Sequence, residues 1–184
     1  MKQIITSIKV FIVFSVLLGL IYPLAITGIA QATMRDKANG SLIVENGRIV
    51  GSSLIGQNFD KPEYFNSRPS AVDYNASGSG ASNLGPSSKK LIARVKEAIS
   101  REKLGDKNIP ADMVLTSASG LDPHISLENA QIQIPRIAKV RNVSETKLKE
   151  LVNKNTDSDF IGVWGQKGVN VLKINIDLDK LAGK

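Results

Sequence analysis

Val10-Phe-Ile-Val-Phe-Ser-Val-Leu-Leu-Gly-Leu-Ile-Tyr-Pro-Leu-Ala-Ile-Thr-Gly-Ile-Ala-Gln-Ala-Thr-Met34 is an uncharged apolar run bounded by Lys9 and Arg35. At about 1.5 Å per residue, a helix of this length exceeds a hydrocarbon core of about 30 Å and spans a bilayer with some tilt. The remainder of the chain has ordinary globular composition and no internal repeat. The expected architecture is a single N-terminal transmembrane helix followed by one mixed α+β soluble domain: residues 1–9 a short tail, 10–34 the span, 35–184 the domain. A cleavable signal peptide competes with a retained anchor, because Lys2 and Lys9 form a basic leader and Ala30-Gln31-Ala32 is a small-residue cleavage pattern. The apolar run is longer than the roughly 7–15 residues of a signal core, which favours the anchor.

Pro23 lies near the middle of the run. It has no amide proton for the carbonyl of Gly19, so a kink is expected there. Lipid offers that carbonyl no partner, which favours a second helix packed alongside, and Gly19 and Gly28 leave small surfaces for its approach. The plainer alternative is a spacing of small residues with no partner.

Charge narrows the partners. Lys2 and Lys9 give the tail a slight claim to the cytoplasm. Beyond the span, 22 Lys and Arg (24 in the chain less those two) face 17 Asp and Glu, but long domains translocate largely regardless of charge. A net charge of +7 with 5% aromatic residues and no basic stripe argues against nucleic acid; anionic lipid or an acidic partner remains open. The absence of cysteine excludes a disulfide framework and a thiol-linked lipid anchor.

Within the domain, Asn46-Gly47 between Leu42-Ile-Val and Arg48-Ile-Val50 predicts a type I′ hairpin. Phe160–Trp164 and Val169–Leu178 read as a second strand pair, the latter from the alternation of Leu172, Ile174, Ile176 and Leu178 with polar residues. Helices are expected over Lys89–Leu104, with Leu91, Ile92, Val95 and Ile99 on one inward face, and over Leu127–Arg141 behind Ser126, kinked or divided at Pro135. A third, capped by Ser144, runs to Asn153.

Several constellations invite a chemical reading. Gly80-Ala-Ser-Asn-Leu-Gly85-Pro86-Ser87 resembles a phosphate loop with proline in place of its lysine, a defect that favours an ordered connector or a flexible linker. His124 is the only histidine, and Asp122 two residues before it reads as a turn-forming side chain; no zinc set or nucleophile elbow accompanies them. Ser87-Ser-Lys-Lys90 and Ser144-Glu-Thr-Lys147 match S-x-x-K but sit at helix starts, where capping explains them. Tyr64-Phe65-Asn-Ser-Arg68-Pro69 has two readings of equal weight: an interface anchor, or rings filling the local core with Arg68 tying loop carbonyls. No catalytic residue, metal ligand or cofactor of the chain's own is expected.

The chain resembles the C subunits of bacterial high-affinity potassium-transporting P-type ATPases, the KdpC family, over nearly its whole length. The resemblance rests on Gly19-Leu-Ile-Tyr22-Pro23, Thr27-Gly28, Ala38-Asn39-Gly40-Ser41-Leu42, Gly51-Ser52-x-Leu54-Ile55-Gly56-Gln57-x-Phe59, Tyr64-Phe65-x-x-Arg68-Pro69-Ser70-Ala71, Asn83-Leu84-Gly85-Pro86, Thr116-Ser-x-Ser119-Gly120-Leu121-Asp122-Pro123-His124-Ile125-Ser126 and Asn170-Val171-Leu172, in the family's order. Ser87-Ser88 and Leu127 depart from the family's usual residues. The resemblance implies a non-catalytic accessory subunit that assembles and stabilises a pump in a bacterial cell membrane. Its implied partners are a channel-like potassium-binding subunit, a P-type ATPase subunit, a small hydrophobic subunit and the lipid bilayer, with ATP and potassium handled by the complex. It further implies a cytoplasmic N-terminus, an extracytoplasmic domain and a catalytic-chaperone effect on ATP affinity. Gly19, Tyr22, Pro23, Thr27, Gly28, Tyr64, Phe65, Arg68, Asn83, Asp122 and His124 are the candidate interface residues. Competing readings are an independent membrane-anchored nucleotide-binding or other binding module, and a pilin-like protein, which lacks the expected leader and early Glu.

Overall fold

The computed structural model describes residues 1–102, 108–157 and 165–181. The chain divides into two compact units, Met1–Ser52 and Ser53–Lys184.

In the first unit, α1 (Lys2–Val16), a π turn (Leu17–Ile21) and α2 (Tyr22–Thr33) follow one another as one continuous apolar helix. It is the one helix among the described residues long and apolar enough to cross a membrane, and none of its most apolar window is buried. The proline is accommodated by widening the preceding turn: the Tyr22 amide reaches back five residues to the Leu17 carbonyl. A short α3 (Arg35–Ala38) follows, then the expected hairpin of β1 (Leu42–Glu45) and β2 (Arg48–Ser52). Asn46 and Gly47 both take positive φ, 51° and 76°, as a type I′ turn requires. A register shift between Ile43 and Val44 marks a bulge.

The second unit is built on helices. They are α4 (Lys89–Glu102), α5 (Ala111–Val114), α6 (Leu127–Arg141), α7 (Glu145–Lys154) and α8 (Val171–Leu181). A small antiparallel sheet of order β3-β5-β4 joins β3 (His124–Ile125), β5 (Gly168–Asn170) and β4 (Thr156–Asp157). Helices and small sheets together make the α+β mixture. α6 and α7 start at Ser126 and Ser144, whose side chains accept the Asn129 and Lys147 amides, and α6 stops at Asn142 in the left-handed conformation. Pro135 does not divide α6. It lies on the exposed face, as does Gln131, the residue whose carbonyl it cannot bond.

Two expectations are corrected. Val171–Leu181 is a helix, and the strand ends at Asn170. Asn170 Oδ1 accepts the Lys173 amide at 3.1 Å and caps α8, while Val171, Ile174, Asn175 and Leu178 are buried at helical spacing. The alternation of Leu172 to Leu178 is a coincidence of that spacing with one polar position, Asn175, that is itself buried, while Lys173 and Asp177 are part-exposed. The partner strand expected at 160–164 lies outside the described residues. In α4, Ala98 is buried and Leu91 and Val95 are half-buried, but Ile92 and Ile99 remain exposed instead of facing inward.

The core gathers Phe65, Ile134, Ile137, Leu148, Val169, Ile174 and Leu178 from α6, α7, α8 and β5 around one loop residue. That loop belongs to 53–88, a stretch without helix or strand, so its backbone groups need side-chain partners. Asn175 Oδ1 accepts the Phe65 amide and Asn175 Nδ2 donates to the Phe65 carbonyl, both at 2.9 Å. Gln133 does the same for Asn66, at 2.7 and 3.3 Å. Asn175→Ala strands two buried backbone groups, and the expected loss is about 2–4 kcal/mol, read from denaturant unfolding of the full-length chain in detergent.

Candidate functional site

Gly19, Tyr22, Pro23, Thr27 and Gly28 all lie on the apolar helix and are all exposed. A Cβ placed on Gly19 or Gly28 meets nothing within 4 Å, so both glycines open onto space that another helix can occupy. The π turn ends at Ile21, two residues before Pro23, and Gly19 is inside it.

In the second unit the remaining candidates separate. Phe65 is fully buried and therefore supports the surface from below, without forming part of it. Tyr64 packs on the same core with its ring under Arg141, whose Cζ is 4.6 Å from the ring centroid. Its hydroxyl donates to Asp179 Oδ2 at 3.0 Å, and Arg141 Nη2 lies 2.7 Å from Asp179 Oδ1, a close ion pair outside good hydrogen-bond angles. Arg141 Nε donates to the Glu63 carbonyl at 2.8 Å. Burial first, and then the bond to Asp179, push the Tyr64 phenol above its ordinary value. Asn83 is exposed at φ +51° with its amide on the Ala81 carbonyl, and it does not line the cleft on which the last three candidates meet.

Arg68, Asp122 and His124 do come together, on the rim of that cleft, which is open and holds about 750 Å³. Asp122 divides its carboxylate between two tasks. Oδ1 accepts the His124 amide at 3.0 Å, forming the expected turn, and Oδ2 pairs with Arg68 Nη1 at 3.1 Å. His124 Nε2 lies 2.9 Å from Asp157 Oδ2, and Asp157 Oδ1 lies 4.0 Å from Lys173 Nζ. The line Arg68–Asp122–His124–Asp157–Lys173 alternates in charge when the histidine is protonated. Backbone register holds it in place, because His124 pairs with Asn170 and Thr156–Asp157 pairs with the other edge of β5. Asn170 Nδ2 ties this sheet to the Ser53 carbonyl at 2.8 Å.

Sequence blocks far apart thus meet here. The Gly56 amide donates to the Leu121 carbonyl at 2.8 Å, and the Ser117 amide to the Pro69 carbonyl at 3.1 Å. Ser70 Oγ donates to the Gly120 carbonyl at 2.7 Å while accepting the amides of Val72 and Tyr74. The Gly80 amide donates to the Ser119 carbonyl at 2.8 Å, so this amide of the glycine-serine loop is engaged in holding the loop to the Ser119–Ser126 segment. Gly120 needs its positive φ of 70°, and any Cβ there would fall 2.5 Å from Val72 and 2.7 Å from the Gly80 carbonyl oxygen.

Sequence reasoning missed Asp112, Asn129, Gln133, Asp157 and Asn175. Asp112 accepts from the Ser126 amide, the Ser126 hydroxyl and Asn129 Nδ2, and Asn129 Oδ1 accepts from Gln133 Nε2 at 2.8 Å. The available signal was Asn129 and Gln133 four residues apart on the apolar side of a helix, where polar residues need partners.

Compared with known proteins, residues 4–180 match the family described as KdpC: K+-transporting ATPase, c chain. The chain belongs to the KdpC family. The match runs through both the apolar helix and the cleft. The protein named Potassium-transporting ATPase KdpC subunit in Koribacter versatilis is 50% identical over 97% of this chain and 94% of its own length. The one in Bradyrhizobium diazoefficiens is 44% identical over the whole of both chains, and that of Mycobacterium tuberculosis 41% identical over 98% of this chain and 99% of its own. As a KdpC chain it is an accessory subunit of a potassium pump, and its candidate transmembrane helix is consistent with membrane anchoring.

Burial raises the Asp177 carboxyl, but the hydrogen bonds from Lys154 and Asn155, at 2.9 and 3.2 Å, outweigh it and hold the group below its usual value. A lowered carboxyl adds stability that is complete above the unfolded value, about pH 4, and is lost as pH falls through the folded value. Asp177→Asn therefore flattens the acid limb of the full-length chain's stability curve, read by circular dichroism. Gly56→Ala places a Cβ 2.5 Å from the Asp122 carbonyl oxygen and costs about 1–3 kcal/mol, whereas Gly85→Ala, with open space around it, changes unfolding by less than about 0.5 kcal/mol.

Proposed function

We propose that the chain is the non-catalytic assembly subunit of the pump, joined to its membrane partners through the Pro23 region of the helix and to an extramembrane surface through the Arg68–Asp122–His124 rim. The observation that carries this reading is the meeting of Arg68, Asp122 and His124 on one cleft, held in place by the bonds of Gly56 to Leu121 and of Ser70 to Gly120. Residues fixed this firmly in an irregular surface are suited to presenting a shaped, charged edge to another protein.

The partners are a channel-like potassium-binding subunit, the P-type ATPase subunit and a small hydrophobic subunit. The N-terminus is cytoplasmic and the second unit extracytoplasmic, in keeping with the basic tail. On that topology ATP and this domain are on opposite sides of the bilayer. An increase in the ATPase subunit's affinity for ATP then has to pass through the span or the partner subunits as a coupling free energy.

The experiment is co-purification of the pump from native membranes. Deleting residues 1–34 abolishes recovery of the large membrane subunits with this chain. Arg68→Ala lowers recovery several-fold while moving the chain's own stability by about 1 kcal/mol or less, because the pair with Asp122 is part-exposed. Full recovery without the span, or stoichiometric ATP binding by the isolated full-length chain, defeats the reading.

A further inference from the structure

Residues 89–100 of α4 read Lys-Lys-Leu-Ile-Ala-Arg-Val-Lys-Glu-Ala-Ile-Ser. Successive side chains turn by about 100°, which puts Leu91, Val95 and Ala98 on the side that is buried or half-buried. Ile92 and Ile99 lie beyond that side and are 45% and 40% exposed. Lys89 and Lys96, each three residues before one of these isoleucines, fall on the same strip, so that Lys89, Ile92, Lys96 and Ile99 form a single outward ridge. Lys90 and Arg94 add two more cations against Glu97 alone, and none of the four cations forms an ion pair with a carboxylate among the described residues.

We propose that this ridge seats on the anionic headgroup layer of the bilayer that holds the chain's own apolar helix. The charge is complementary to acidic phospholipid, and Lys89 and Lys96 can lay their aliphatic stems beside the isoleucines while their ammonium groups reach phosphate. Two isoleucines are too little apolar area for a stable protein interface, which requires about 800 Å² from each partner. They suffice for a surface held nearby by a covalent tether, where a weak contact becomes intramolecular. The inference rests on the chain being membrane-anchored but not on the identity of its protein partners.

The chain has no cysteine, so single cysteines carry a fluorophore without background. Full-length Ile99→Cys, Glu97→Cys and Ile12→Cys are each labelled with an environment-sensitive dye. Each is reconstituted into phosphatidylcholine vesicles with or without about 30% phosphatidylglycerol, and quenched by doxyl-labelled lipid. Position 12 reads the anchor and position 99 reads the ridge. The expected result is quenching at 99 at least about threefold stronger than at 97 in anionic vesicles. It is reduced in about 0.5 M salt and lost in Lys89→Glu/Lys96→Glu, while quenching at 12 persists throughout. Equal quenching at 97 and 99, or none at 99, overturns the proposal, and quenching at 12 alone does so while leaving the anchor intact. A blue shift at 99 that appears only with the other pump subunits present, without lipid quenching, overturns it in favour of a protein contact.

Discussion

Side-chain amides that stand in for a missing β-strand hold the second unit together. Phe65 and Asn66 enter the core from a stretch with no helix or strand, and a buried backbone amide or carbonyl without a partner costs about 1–3 kcal/mol. Asn175 from α8 and Gln133 from α6 each offer one acceptor and one donor, spaced to pair with both backbone groups of one residue. The loop is thereby bonded to two helices at once, and Phe65 is carried to full burial between them. Both clamps are themselves buried, and Gln133 is oriented in turn by Asn129, Asp112 and Arg136. Each member has its partners, which is the condition under which a buried polar network fixes one arrangement of the core and not several.

This construction explains why the cleft rim is definite in shape although it is made of loops. Arg68 follows the clamped pair by two residues, and its partner Asp122 lies between the glycine-closed contact at Gly56 and the sheet register of His124. A rim built on free loops would lose entropy on meeting a partner. This one has lost it on folding, so that in the proposed docking contact energy would go into association and not into ordering. The same logic applies to the glycine-serine segment, where Ser77 folds back on Asn75 and Gly80 is bonded to Ser119. Its composition permits a flexible linker, but its hydrogen bonds make it part of the platform.

What could be read from the sequence tracks how local its physical cause is. The apolar helix, the Asn46-Gly47 hairpin and the capped helices α6 and α7 are each decided by a few neighbouring residues, and each was legible. The Arg68, Asp122 and His124 grouping was suggested only by likeness to a family, because contacts such as Arg68 to Asp122 join residues far apart in the chain. The misreading of Leu172–Leu178 has the same origin. Asn175, a buried polar residue, mimics a solvent-facing strand position, and only its distant partner Phe65 shows it to be buried. Phe65 was ambiguous for the opposite reason, since an aromatic in a loop is an interface anchor or a core residue according to whether something else in the fold covers it.

The apolar helix joins these observations from the other direction. A membrane helix whose only task is tethering has no need of a proline, because an uninterrupted ladder satisfies every backbone group at no cost. Here the ladder is widened into a π turn around Gly19, with Pro23 two residues past its end and a second open glycine at 28. Such turns cost hydrogen-bond geometry in lipid, where water cannot compensate, so their persistence calls for offsetting contacts from outside the helix. On the proposed reading, close van der Waals approach by a neighbouring helix on the Gly19 side of the π turn supplies contacts of the right kind, while Gly28, nine residues on, opens onto a different face. If the helix packs as proposed, the same irregularity that weakens it alone makes it selective for a partner, and the anchor then helps to decide which complex the rest of the chain joins.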